Sequence, residues 1–137
     1  MGKIDIKKKV KENALFQNAF DLFTNKGFAK TTISDIVERA GLAKGTFYLY
    51  FKDKYDLRDK LIVHKAAQLF TEAHQEILDQ SVEGFENQIL CMTDYIIDRF
   101  KKEHNLLQFI AKNLSWGVFK NVFGNSNEKE SVPFYRY

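Results

Sequence analysis

Five residues between positions 44 and 50 combine side chains that suit contact with DNA: Lys44, Gly45, Thr46, Tyr48 and Tyr50. A lysine can donate to guanine O6 and N7 in the major groove, and a threonine can touch a thymine methyl or a phosphate. A glycine lets a helix approach its target closely, and phenolic hydroxyls suit phosphate oxygens. The group holds polar and basic side chains rather than a catalytic set, so the chemistry it indicates is binding.

A short helix is predicted directly before this group. Thr32 and Asp35 have the spacing of a capping box, in which hydroxyl and carboxylate satisfy the first free backbone N–H groups. Apolar residues then recur at i, i+3, i+4 and i+7 and form one helical stripe: Ile33, Ile36, Val37 and Ala40. Gly41 follows, where a helix C-terminus commonly needs a residue with positive φ. These signals predict a helix that ends at Ala40.

A second short helix is predicted from Lys44 to Phe51, with the five residues on its outward side. Phe47 and Phe51 are four positions apart, so both face inward, and Leu42 can fill the corner between the helices. Two helices joined by a glycine turn can place the second one in the major groove of DNA. An ordinary helical corner with exposed lysines and tyrosines is the alternative, which the turn, cap and aromatic spacing together disfavour.

The stretch resembles the N-terminal domain of TetR-like transcriptional regulators, and the resemblance covers residues 8 to about 65. The matching positions are Gly27, Phe28, Thr31 to Ile33, Ile36, Ala40 to Tyr48, Tyr50, Phe51, Lys54 and Leu57. The family implies an all-helical homodimer that binds a palindromic operator in double-stranded DNA and is released by a small ligand. By the same resemblance, Thr31 or Thr32 and Lys54 correspond to phosphate clamps.

The sequence departs from the family's pattern at two positions. Ala43 stands where a serine often caps the second helix, so we expect that cap to be lost. Leu49 stands where many members carry a basic, aromatic or polar side chain, so Leu49 is not among the predicted DNA contacts.

Positive charge is concentrated in the N-terminal half. Residues 1–65 carry a net charge of +6 and residues 66–137 a net charge of −3, which together give the +3 of the chain. A basic part followed by an acidic one is typical of a DNA reader with a separate module. Cys91 is the only cysteine, so no disulfide forms within the chain. Since no signal peptide or membrane-spanning run is found, we expect a cytoplasmic protein.

The apolar pattern predicts an all-α chain in two parts. Residues 1–52 form a three-helix head with the helix-turn-helix, preceded by a basic arm from Lys7 to Lys11. Residues 53–137 form a helical body, with a long helix from Asp53 to about Asp79, a fifth helix to Lys102 and a joint at 104–105; the resemblance implies that this body binds the ligand and dimerises. Full members of the family continue into long C-terminal helices that pair between subunits. These helices are missing from the pattern, so we expect a truncated body or a different mode of dimerisation.

Aromatic and sulfur-containing residues of the body are candidates for a ligand pocket: Phe70, Phe85, Met92, Tyr95, Phe109, Trp116 and Phe119. A cavity rich in rings suits planar or lipophilic ligands. For any one of these residues an ordinary hydrophobic core is the better interpretation, and the pocket rests mainly on the resemblance. The three histidines lack the spacing of a metal site, and neither a nucleophile motif nor a glycine-rich phosphate loop occurs. We therefore predict no metal, no cofactor and no enzymatic activity.

These observations predict a ligand-responsive transcriptional regulator, most often a repressor, that leaves its operator when a small lipophilic or aromatic ligand binds. The alternative is a helical small-molecule sensor or protein-interaction module without specific DNA binding.

Overall fold

The computed structural model describes residues 2–113 of the 137-residue chain. In that part every regular element is an α-helix, as predicted. The six helices are α1 (Lys3–Asn25), α2 (Ile33–Ala40), α3 (Lys44–Tyr50), α4 (Lys54–Asp79), α5 (Phe85–Lys102) and α6 (His104–Asn113). None of these helices is both long and apolar enough to cross a membrane.

The chain divides into two compact units, an N-terminal unit (residues 1–64) and a C-terminal unit (residues 65–137). The division falls inside α4, twelve residues beyond the predicted end of the head at residue 52. The first turns of α4 belong to the N-terminal unit because Leu57, Leu61 and Ile62 are buried with its core. The rest of that core comes from the three preceding helices and the residue after α3: Leu15, Phe16, Ala19, Phe23, Ile36, Val37, Phe47 and Phe51.

The N-terminal lysines lie within the first helix. A basic arm leading into α1 was predicted, and this prediction was wrong, because α1 begins at Lys3 and runs without interruption to Asn25. Lysine, glutamate and leucine lose little side-chain freedom in a helix, and no proline or glycine separates Lys3 from Asn25. The lysines are therefore held on a helix rather than on a loose tail.

The C-terminal unit contains the end of α4, the helix α5 and the helix α6. Leu69, Ala73 and Ile77 of α4 are buried, together with Leu106 and Phe109 of α6. The predicted joint at residues 104–105 was wrong, since α5 ends at Lys102 and α6 begins at His104. The N–H of residue 106 donates to the carbonyl of Glu103 at 3.1 Å, so the new helix starts one residue after the old one ends.

A polar cluster joins α4 and α5 in this unit. Arg99 donates to Glu72 and, at 3.0 Å, to Glu103, and the Tyr95 hydroxyl donates to Glu72 at 3.3 Å. The bonds to Glu103 and Glu72 raise the pKa of the Arg99 guanidinium above its ordinary value, so its charge is permanent. The cluster fixes the facing sides of the two helices by charge-assisted bonds.

Candidate nucleic-acid interface

The start of α2 is fixed by the capping box that the sequence predicted. The Asp35 N–H donates to the Thr32 hydroxyl oxygen at 3.0 Å, and the Thr32 N–H donates to the Asp35 carboxylate at 3.0 Å. The ammonium of Lys26 lies 2.9 Å from the same carboxylate. These bonds lower the pKa of Asp35 from 3.8 to about 2, and the bond from Lys26 has the largest effect. The carboxylate is thus charged at any physiological pH.

The turn between α2 and α3 is built on Gly41, as predicted. Its φ of +69° and ψ of 30° lie in the left-handed region that glycine enters without steric cost. The N–H of Leu42 then donates to the carbonyl of Val37 at 2.8 Å, which closes the C-terminus of α2. The chain leaves this turn directly into α3, so the two helices have a fixed mutual orientation.

The inward side of α3 is aromatic. Phe47 has no exposed surface and Phe51 is 2% exposed, which confirms the predicted inward spacing. Their ring centroids are 5.5 Å apart, and Phe51 also meets Phe16 of α1 edge-on at 5.2 Å. Burial of two phenylalanines contributes roughly 1.5–3 kcal/mol each. The aromatic contacts therefore fix which side of α3 faces away from the core.

The predicted DNA-contacting residues of α3 are exposed in whole or in part. Lys44, Gly45 and Tyr48 are exposed, and Thr46 and Tyr50 are half-buried. No side chain caps the helix at Ala43, as expected from the departure at that position. The structure brings these five residues onto one short helix, on which a basic group, a glycine and one phenol are exposed.

The predicted phosphate clamps occupy different environments. Thr32 is exposed, and its hydroxyl accepts a bond from Asp35 while retaining a hydrogen that it can donate. Thr31 is 1% exposed, and its hydroxyl donates to the carbonyls of Gly27 at 2.7 Å and Leu22 at 3.4 Å. Thr31 thus has no side-chain surface for DNA in this structure, and Thr32 is the candidate of the two.

Lys54 is directed at the backbone before α2. Its ammonium donates to the carbonyls of Phe28 at 2.8 Å, Thr31 at 3.0 Å and Ala29 at 3.4 Å. An ammonium has three hydrogens to donate, and here three carbonyls face it. Lys54 therefore holds the segment that leads into Thr32, and its phosphate contact stays a prediction.

One exposed residue of α3 was left out of the predicted set. Leu49 is 79% exposed, on the side opposite to Phe47 and Phe51. The signal was present in the sequence, because a residue two positions from each inward phenylalanine lies on the far side of a helix.

The predicted ligand-pocket residues differ in their exposure. Phe109 is buried, Met92 and Tyr95 are half-buried, and Phe70 and Phe85 are 54% and 76% exposed. Trp116 and Phe119 lie outside the described residues. An open cleft of about 470 Å³ lies between α4 and α5, and of the predicted set only Tyr95 lines it among the described residues. Glu76, Asp94 and Asp98 line the same cleft, which makes it more polar than expected.

Groups of histidine, cysteine and acidic residues that could hold a metal ion are absent from residues 2–113.

Comparison with known proteins points to the same part of the molecule. Residues 15–61 match the family described as bacterial regulatory proteins, tetR family. The chain is 40% identical over 68 residues to the uncharacterized HTH-type transcriptional regulator YvdT of Bacillus subtilis. This match covers 47% of this chain and 35% of that protein. It is 30% identical over 74 residues to the fatty acid metabolism regulator protein of the same organism, covering 54% of this chain and 38% of that protein.

A similar fold is found in the crystal structure of a TetR-family transcriptional regulator from Haemophilus influenzae. The TM-score is 0.69 at 20% identity, and the match covers 90% of this chain and 66% of the other. The chain covers only about a third of the length of the two Bacillus relatives. The matched segment contains α2, the glycine turn and α3, and in these residues the chain matches the TetR family of transcriptional regulators.

Proposed function

We propose that the protein is a DNA-binding transcriptional regulator, most often a repressor, which binds a palindromic operator through α3. The observation that carries the proposal is that α3 buries Phe47 and Phe51 in the core and leaves Lys44, Gly45 and Tyr48 exposed. The net charge of +6 on residues 1–65 supports it, because positive charge supplies the sequence-independent attraction to phosphates.

The contacts divide by chemistry. Lys44 reaches guanine O6 and N7 from the first turn of α3, and Thr46 touches a thymine methyl or a phosphate. Tyr48, Tyr50 and the exposed hydroxyl of Thr32 bind phosphate oxygens and fix the register of the helix. Lys54 acts through the backbone carbonyls that it binds, by positioning Thr32.

A homodimer would present two such helices to successive major grooves, about 34 Å or a multiple of it apart, on a palindromic site. Such a regulator acts on DNA in the cytoplasm. A small lipophilic or aromatic effector releases it by binding the C-terminal unit, provided that it binds the DNA-free state better than the DNA-bound state. The similarity to the fatty acid metabolism regulator protein of Bacillus subtilis supports a lipophilic effector. The helix α4 runs through both units and would carry the change.

The test is selection of binding sites from random duplexes, followed by titration of the selected site. Binding to the selected site should persist against excess random DNA. It should also weaken with salt, and each neutralised phosphate should contribute about −0.9 to the slope of log K against log salt concentration. Failure to enrich any sequence, or binding that random DNA removes completely, would contradict the proposal.

One observation favours a second candidate function, a helical protein-interaction module. Four large apolar residues of α5 are strongly exposed: Phe85 (76%), Ile89 (48%), Leu90 (60%) and Ile97 (47%). Exposed apolar surface of this kind commonly marks a protein contact. Salt-independent association with a protein, without DNA binding at any salt concentration, would support this candidate instead.

A further inference from the structure

Leu49 is the most exposed large apolar side chain among residues 2–113, at 79%. It lies on α3, whose inward side is occupied by Phe47 and Phe51. A helix turns about 100° per residue, so a residue two positions from each phenylalanine lies within about 20° of the direction opposite to both. Leu49 therefore points furthest from the core of all residues on this helix.

Gly45 lies one turn before Leu49 on the same side of α3. A Cβ added at Gly45 would meet no atom within 4 Å, so its missing side chain is not required by packing inside the protein. The effect of the glycine is to leave the surface beside Leu49 open. A planar binding partner can therefore approach the backbone of α3 at Gly45 until it contacts the side chain of Leu49.

The residues on either side of this surface suit DNA. Lys44 and Tyr48 are both exposed and lie to one side of Leu49, and Thr46 and Tyr50 lie at the other edge. A leucine amid polar and basic groups does not form the contiguous apolar patch that is usual for a protein contact. In the major groove, the base edges offer one apolar group, the C5-methyl of thymine.

We propose that Leu49 packs on the C5-methyl of a thymine and thereby selects a T·A pair at one position of each half-site, with Gly45 permitting the approach. This inference rests on the proposed DNA binding by α3. Leu49 is then a specificity-determining residue: it contributes apolar contact, while the phosphate and guanine contacts come from its polar neighbours.

The experiment combines a variant of the protein with a variant of the DNA. Each thymine of the selected site is replaced in turn by deoxyuridine, which lacks only the C5-methyl, and affinity is measured for the wild-type protein and for L49A. Alanine is a strong helix former, so L49A should keep the fold, which circular dichroism checks. Replacement of Leu78, 57% exposed in the C-terminal unit, by alanine is the matched control.

Apart from any thymine that Thr46 touches, we expect one thymine at which deoxyuridine weakens wild-type binding about fourfold, the effect of one buried methyl group. At that thymine L49A should bind both DNAs equally, while L78A should discriminate as the wild type does. Specific wild-type binding that is indifferent to deoxyuridine at every position, or equal discrimination by L49A, would overturn this inference alone. Absence of any specific site would overturn the proposed function as well.

Discussion

The ammonium of Lys54 lies 2.8 Å from the carbonyl oxygen of Phe28 and 4.4 Å from the centroid of the ring of the same residue. The two residues are 26 positions apart in the chain. The bond and the cation–π contact join the start of α4 to the segment before α2, so the capping residue of α2 is positioned by a helix distant from it in sequence.

Loss of Lys54 should destabilise the fold. K54A removes the donor to three carbonyls, and we expect the free energy of unfolding to fall by about 1.5–3 kcal/mol, the usual contribution of bonds to a charged group. Chemical denaturation without DNA measures it. K52A is the control, since the side chain of Lys52 is exposed. Equal stability of K54A and K52A would show that the carbonyl contacts have no structural role.

Substitution of Gly45 should separate stability from DNA binding. In G45A the added methyl meets no atom within 4 Å, and alanine favours a helix over glycine, so we expect up to about 1 kcal/mol of added stability. DNA affinity should nevertheless fall, because the methyl holds the helix away from the base edges. Thermal melting and titration of the selected site measure the two effects. A variant that is more stable and binds equally well would contradict the close approach.

The contribution of the capping box to stability should be measurable by substitution of Thr32. T32A removes the acceptor for the Asp35 N–H, and we expect about 1 kcal/mol of destabilisation, whereas T32S keeps the acceptor and should resemble the wild type. Urea denaturation distinguishes the three proteins. A T32S variant as unstable as T32A would mean that the hydroxyl is not what stabilises the helix.

Lowering the pH should remove the contribution of the Asp35 carboxylate to the free energy of unfolding. Its pKa is 3.8 without its partners and about 2 in the folded protein, so the unfolded chain binds the proton more readily. The resulting stabilisation is complete above about pH 4 and is lost as the pH falls through 2. D35N lacks this titration, so the difference in unfolding free energy between wild type and D35N should shrink between pH 4 and 2. A constant difference across that range would contradict the assignment of the low pKa to Asp35.

The helix-turn-helix could be predicted from the sequence because its signals are local. Each signal involves residues no more than four positions apart or directly at a helix end. These are the capping pair Thr32 and Asp35, the turn residue Gly41 at the end of α2, and the inward pair Phe47 and Phe51. The contacts of Lys54 could not be predicted, since they depend on a turn 23 to 26 residues away. Leu49 was not among the predicted DNA contacts because its side chain departs from the family's pattern. Helical spacing by itself places Leu49 opposite the core.

The most direct test of sequence reading by α3 compares sequence preference in the wild-type protein and in the double variant K44A/Y48A. The quantity measured is the ratio of affinities for the selected site and for random DNA at one salt concentration. We expect the ratio to fall in the variant, because the guanine contact of Lys44 is lost, while helicity and melting temperature stay unchanged. An undiminished ratio in a folded variant would contradict the proposal, since Lys44 would then contribute nothing to the reading of sequence by α3.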